Sequence, residues 1–283
     1  MRESNQPSIG REKNRIMALP HHNTPKELAG KVAIVTGAAR GIGRAVSRHL
    51  GQRGASILMG DILSDVGELA ARTLTSQGIT ARFMRMDTRT EWDVQRFISY
   101  AAQLYGRVDI VVACAGVLNV APATEITPEQ FHSIFDVNVL GTSLLIKHAI
   151  PQLVQSGGGS IVILSSISGA LGFPDLSLYC ASKAALSGLT RSLAVELAKK
   201  NIRVNSLLPS MVDTDMVEEE LNAREQLGQG AGDVVLERSL SSQPISRMAS
   251  VDEVAEAVCF LASPQNALLT GVNLPLDGGL SCV

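Results

Sequence analysis

Long apolar runs are missing from this 283-residue chain. None reaches the roughly eighteen consecutive apolar residues that a membrane-spanning helix needs. The first thirty residues lack the apolar core of a secretory signal. Arg2, Arg11, Lys13 and Arg15 are basic there, but Glu3 and Glu12 argue against a transit peptide. An excess of charge is missing too. The formal net charge is −2, which favours neither nucleic acid nor an acidic membrane as a partner. Cysteine is scarce: Cys114, Cys180, Cys259 and Cys282 form no C-x-x-C pair. Reduced thiols in a cytoplasmic protein follow from that pattern, and no metal site is expected. No internal repeat, low-complexity stretch or interdomain linker is visible.

What is present is a 45% hydrophobic composition and 25 glycines, enough for a substantial core with many tight turns. Residues 1–27 read as a flexible tail, with Met17 an alternative start. Residues 28–283 read as a single domain.

The domain alternates strand and helix. Lys31 to Thr36 is a short β-branched run, a buried strand. It leads into Gly37, Arg40, Gly41, Ile42 and Gly43, then an amphipathic stretch to about Arg53. Strand, glycine turn and helix together suit a pyrophosphate, because the helix start offers free N–H groups and partial positive charge. The spacing is G-x-x-x-G-x-G rather than G-x-G-x-x-G, and alone it also suits any tight strand-to-helix turn. A second strand, Ala55 to Gly60, ends at Asp61, about eighteen residues beyond Gly43. That is near the spacing at which a carboxylate meets an adenosine ribose. A helix over 64–77 and a strand over 81–86 follow, ending at Asp87. That carboxylate is placed for an adenine amine or equally for a cap. Another helix (91–105) precedes a strand over 109–113 and the small residues Ala115 and Gly116.

One continuous helical region is expected over 128–156, containing Asn138. The strand 160–164 comes next, then a helix from Tyr179 to about Lys200. That helix is apolar on more than one face, so one side would cover the sheet and the other would meet a second subunit. A strand over 202–208 closes at Pro209-Ser210. Residues 213–246 are polar and suit a substrate lid. Ser250 and Glu253 form a capping box for a helix over 250–262, and a last strand spans 272–276. The fold class is α/β: a doubly wound, Rossmann-like parallel sheet with its ligand at the C-terminal strand edge.

The chemistry concentrates between Ser166 and Lys183. Tyr179 and Lys183, four apart on a helix, share a face. An ammonium beside a phenol lowers the phenol pKa toward neutrality. A hydroxyl, a phenol and an ammonium converging at the sheet edge would move a proton on and off an alcohol oxygen. A lone Tyr-x-x-x-Lys is more often a surface pair; the other motifs raise its weight.

Taken in order, these motifs resemble the short-chain dehydrogenase/reductase family over about residues 29 to 280. The resemblance implies Tyr179 as general acid/base, with Lys183 lowering its pKa and holding the nicotinamide ribose. Ser166 would orient the substrate oxygen and Asn138 would hold a relay water. Gly37, Arg40, Gly41, Ile42, Gly43, Asp61, Asp87, Thr88, Ala115, Gly116, Pro209, Val212 and Thr214 would line the cofactor. The implied reaction is hydride transfer between a nicotinamide cofactor and a secondary alcohol or ketone, in a homotetramer. Two departures stand out: Ala113-Cys114 where the family has two asparagines, and Ser210 where it has glycine. Asp61 argues for NAD, since a 2′-phosphate would meet a like charge there. Arg40 argues for NADP unless it neutralises Asp61 or stacks on the adenine. A β-ketoacyl carrier-protein reductase using NADPH and a non-catalytic cofactor sensor are the alternatives. Relatives that epimerise or dehydrate tend to carry a larger C-terminal substrate domain.

Overall fold

The computed structural model describes residues 26–228, 230 and 232–283. The tail reading, apart from residues 26 and 27, lies outside these residues, as do two positions of the 213–246 segment.

Seven parallel strands form one sheet: β1 (Val32–Thr36), β2 (Ser56–Asp61), β3 (Ala81–Arg85), β4 (Ile110–Ala113), β5 (Gly159–Leu164), β6 (Ile202–Pro209) and β7 (Asn273–Leu276). Their order is β3-β2-β1-β4-β5-β6-β7. The chain reverses its direction of winding between β1 and β4, and a crevice opens there at the strand ends. The central strands are buried on both faces, so they read as apolar runs without a polar side. Their side chains still alternate. Ala33 and Val35 pack into one layer, whereas Ile34, between them, packs into the other.

The first layer is built by α1 (Gly41–Gln52), α2 (Ser64–Ser76) and α9 (Val251–Ala262), through Val46, Leu50, Leu74, Val254 and Val258. The capping box of Ser250 and Glu253 is formed. The second layer is built by α3 (Glu91–Tyr105), α4 (Pro128–Phe135), α5 (Thr142–Gln155) and α6 (Ser177–Leu197), with Phe97, Leu145, Leu153 and Leu186 on the sheet. Helices α7 (Asp215–Gln226) and α8 (Gly232–Ser241) form an insertion between β6 and α9. Among the described residues no helix is long and apolar enough to cross a membrane.

Two expectations about helices change. The region 128–156 is not one helix, because a π-helical turn, Asp136–Gly141, separates α4 from α5. The extra residue per turn swings Asn138 inward, where it is completely buried. In α6 the sheet-facing side is buried, but within this chain the opposite side is open, with Val195 82% exposed.

Candidate active site

The turn after β1 is shaped by close approach. A Cβ on Gly37 would lie 2.8 Å from the Ala115 backbone, and one on Gly43 only 2.2 Å from the Gly37 carbonyl. Gly41 has φ +53°, which side chains rarely adopt. The N-terminus of α1 carries no side-chain cap and no acid in its first turn. Its free N–H groups and dipole therefore face open space at the crevice. Those features fit the pyrophosphate of a dinucleotide. Ile42, Pro209, Val212 and Thr214 border the adjoining cavity.

Asp61 ends β2 and braces the same turn. Its Oδ2 accepts from the Ala39 N–H at 3.0 Å and its Oδ1 from the Leu63 N–H at 3.1 Å. Arg40 does not pair with it. The Arg40 guanidinium reaches instead to α7, donating to Asp215 Oδ2 at 2.7 Å and Glu219 Oε1 at 3.2 Å. Asp87 is gripped by Arg89 through both oxygens, the shorter contact being 2.7 Å, and this holds its carboxyl below the usual range. Thr88 is buried against the π-turn, 2.8 Å from where a Cβ on Gly141 would stand.

On the other side of the crevice, Ser166 follows β5 and starts a short turn, its Oγ accepting from the Ser168 N–H at 3.1 Å. It lines the same cavity as Tyr179. Tyr179 lies in the first turn of α6 and is 8% exposed. Burial pushes its pKa up to about 12; the nearby Ser166 hydroxyl opposes the rise and the Glu220 charge adds to it. Lys183, one turn on, donates to the Leu164 carbonyl at 3.0 Å, and burial pulls its pKa down to about 8. The expected lowering of the phenol pKa by this ammonium is therefore absent. Desolvation dominates, and the Nζ stands 5.5 Å from the ring centre.

Asn138 is fully engaged with protein. Its Nδ2 donates to the Val117 carbonyl and to Ser182 Oγ, both at 3.0 Å, and its Oδ1 accepts from the Val117 N–H at 2.9 Å. This clamp fixes the strand exit at Gly116, where an added Cβ would lie 3.4 Å from the Lys183 Nζ. Thr36 Oγ1 supports the same exit, accepting from the Cys114 and Ala115 N–H groups at 3.2 and 3.3 Å. The backbone there thus has support without the two asparagines.

A cavity of about 330 Å³ joins these groups. Ser166, Tyr179 and Lys183 form one wall; Leu118, Phe173, Met211 and Val217 supply apolar surface. Arg238 of α8 and the Glu220–Arg224 ion pair of α7, 2.9 Å long, also border it. A cavity lined by a hydroxyl and a buried phenol, beside a phosphate-binding turn, can pass a proton to an oxygen held over a nicotinamide.

The model of a family described as enoyl-(acyl carrier protein) reductase matches residues 37–281. A crystal structure of a short-chain type dehydrogenase/reductase from Mycobacterium marinum superposes with a TM-score of 0.83 at 31% identity, covering 91% of this chain and 98% of that one. The chain belongs to the short-chain dehydrogenase/reductase family. Cis-4-hydroxycyclohexanecarboxylate dehydrogenase of Sinomonas cyclohexanicum is 38% identical over 90% of this chain and 98% of that protein. An uncharacterised NAD-dependent oxidoreductase of Mycobacterium tuberculosis is 36% identical over 89% of this chain and 96% of that protein.

As a member of the short-chain dehydrogenase/reductase family, the protein is an NAD(P)-dependent oxidoreductase acting on CH–OH or C=O groups. The family motifs led to Ser166, Tyr179 and Lys183, which the fold brings to one cavity. They did not lead to Glu220, Arg224 or Arg238. These stand on the insertion, where an acidic, polar composition looks like any solvated helix face. Nor did they show what Arg40 and Asn138 touch.

Proposed function

We propose that the protein interconverts a secondary alcohol and a ketone with NAD(H), using Tyr179 as the proton-transferring group. The observation that carries this reading is that Ser166, Tyr179 and Lys183 line one cavity beside the glycine turn. When bound, the nicotinamide supplies or accepts the hydride. The chain does the rest. The Ser166 hydroxyl and the Tyr179 phenol point two polar groups at one substrate oxygen, and Tyr179 gives that oxygen its proton as a ketone is reduced. Lys183 has three N–H donors and spends one on Leu164, which leaves two for a ribose diol. Asn138 acts as a positioning residue by holding the Gly116–Val117 backbone against Lys183. Asp61 has lone pairs left for the adenosine ribose hydroxyls, which supports NAD.

For the substrate, a cyclic alcohol bearing a carboxylate fits best. The apolar wall suits a ring, and the Arg238 guanidinium at the cavity has no ion-pair partner among the described residues. The named activity of the Sinomonas relative is of that type. Reduction of a carrier-protein thioester is the second reading, suggested by the description of the matching family. The insertion at 213–246 serves as the lid over that substrate, and a homotetramer formed partly through the open side of α6 completes the assembly. Sedimentation of the purified protein tests the latter. Turnover of cyclohexanol, 4-hydroxycyclohexanecarboxylate and an acetoacetyl thioester, each with both cofactors, tests the reaction. Oxidation of the hydroxy acid with NAD well above cyclohexanol is expected, and thioester reduction with NADPH alone would replace this reading by the second.

A further inference from the structure

The insertion is tied to the cofactor turn, not merely laid beside it. Thr214, the residue before α7, has its Cγ2 3.5 Å from where a Cβ on Gly41 would stand. One residue on, Asp215 takes one amino group of Arg40, and Glu219, a turn later, takes the other. Asp215 and Glu219 are therefore one helical turn apart on one face of α7, and that face meets the guanidinium. Arg40 itself is the N-cap of α1, flanked by the turn that Asp61 braces through Ala39. Three carboxylates and one guanidinium thus surround the place where an adenosine 2′ substituent would arrive.

We infer that Asp215 and Glu219 determine cofactor choice, by occupying Arg40, a cation at that end of the site that could pair with a 2′-phosphate. This rests on the NAD(H) reading above and extends it from Asp61 to the lid. A 2′-hydroxyl asks nothing of Arg40. A 2′-phosphate would need its charge, and would have to compete for it with two carboxylates already seated at 2.7 and 3.2 Å. The phosphate would also stand among three like charges. Selection therefore works by an unfavourable alternative as much as by a favourable contact. It also makes lid and adenosine end one unit: any dinucleotide that takes Arg40 must release α7.

The test is binding of NADH and NADPH to the full-length protein, followed by nucleotide fluorescence, in wild type, Asp215→Asn/Glu219→Gln, Arg40→Gln and the triple variant. Neutralising both acids should tighten NADPH by about tenfold and leave NADH within about twofold, since one freed guanidinium gains one phosphate. The gain should shrink with added salt, because all three groups are solvent-exposed. Arg40→Gln should barely change NADPH binding in wild type and should abolish the gain in the neutralised background. An unchanged NADPH-to-NADH ratio in the neutralised variant overturns the inference. So does a loss of NADPH affinity from Arg40→Gln that is as large in wild type as in that variant. A wild-type protein that binds neither nucleotide refutes the dehydrogenase reading itself, and this inference with it.

Discussion

The Lys183 Nζ stands 5.5 Å from the centre of the Tyr179 ring and donates its hydrogen bond to the Leu164 carbonyl at 3.0 Å. Both groups are buried, and burial drives their pKa values apart, the phenol up to about 12 and the ammonium down to about 8. Burial favours the neutral form of each. The phenol is therefore kept protonated at neutral pH, the form that a ketone reduction consumes.

Tyr179→Phe removes the proton and keeps the ring. The kcat should fall by roughly a hundredfold or more, the range of general acid–base catalysis. NADH affinity should hold, since Lys183 and the glycine turn are untouched. Steady-state kinetics and a fluorescence titration check both halves, and near-normal turnover would remove Tyr179 from the mechanism.

The direction of reaction should respond to pH with opposite signs. Alcohol oxidation needs the phenolate to take a proton, and a pKa raised to about 12 leaves little of it near neutrality. The kcat/KM for oxidation should therefore keep rising as the solution is made alkaline, while ketone reduction should not gain. A flat oxidation profile with a chemistry-limited substrate would contradict this.

Lys183 should cost stability at neutral pH. Its folded pKa of about 8 lies below the ordinary 10.5, so between these values the unfolded chain binds the extra proton. Stability from this group therefore rises with pH across that window, and the full penalty is present below it. Lys183→Met escapes the penalty. It should be more stable at neutral pH by up to about 3 kcal/mol, with the gap to wild type closing as pH rises. The Tyr179 contribution has the opposite sign and sets in only above the ordinary phenol value of 10, and it cancels in the comparison. Urea melts of both proteins at neutral and alkaline pH measure the gap; a gap that does not depend on pH would show that Lys183 is not titrating as described.

Asn138→Ala strips partners from the Val117 N–H and carbonyl and from Ser182 Oγ. Val117 is partly open to water and Ser182 Oγ keeps its bond to the Tyr179 carbonyl at 2.8 Å, so a loss of about 1–3 kcal/mol is expected in denaturant melts. Activity should fall along with it, because the Gly116 backbone it holds lies beside Lys183, whose Nζ would stand 3.4 Å from a Cβ added there. A variant as stable as wild type would mean that the clamp on Val117 does not hold.

Much of the fold was legible because its causes are local. The apolar run before Gly37, the glycines after it and the Ser250 capping box each follow from neighbours within a few residues. Seven strands and the helices α2, α3 and α9 were placed within a residue or two, whereas α7 and α8 were read only as a polar segment. The same holds for Tyr179 and Lys183, whose four-residue spacing on a helix sets a common face. The π-turn was not legible. Nothing between Asp136 and Gly141 departs from helical composition, and the turn exists because Asn138 finds Val117 and Ser182, 21 and 44 residues away. Arg40 is the same case at longer range: its partners Asp215 and Glu219 lie 175 and 179 residues downstream. The pKa of Tyr179 is decided in the same way. Sequence spacing placed an ammonium near a phenol, but only the packed structure determines how much water reaches them. Desolvation is a property of everything around a group, and here it outweighs the one neighbour that the spacing reveals.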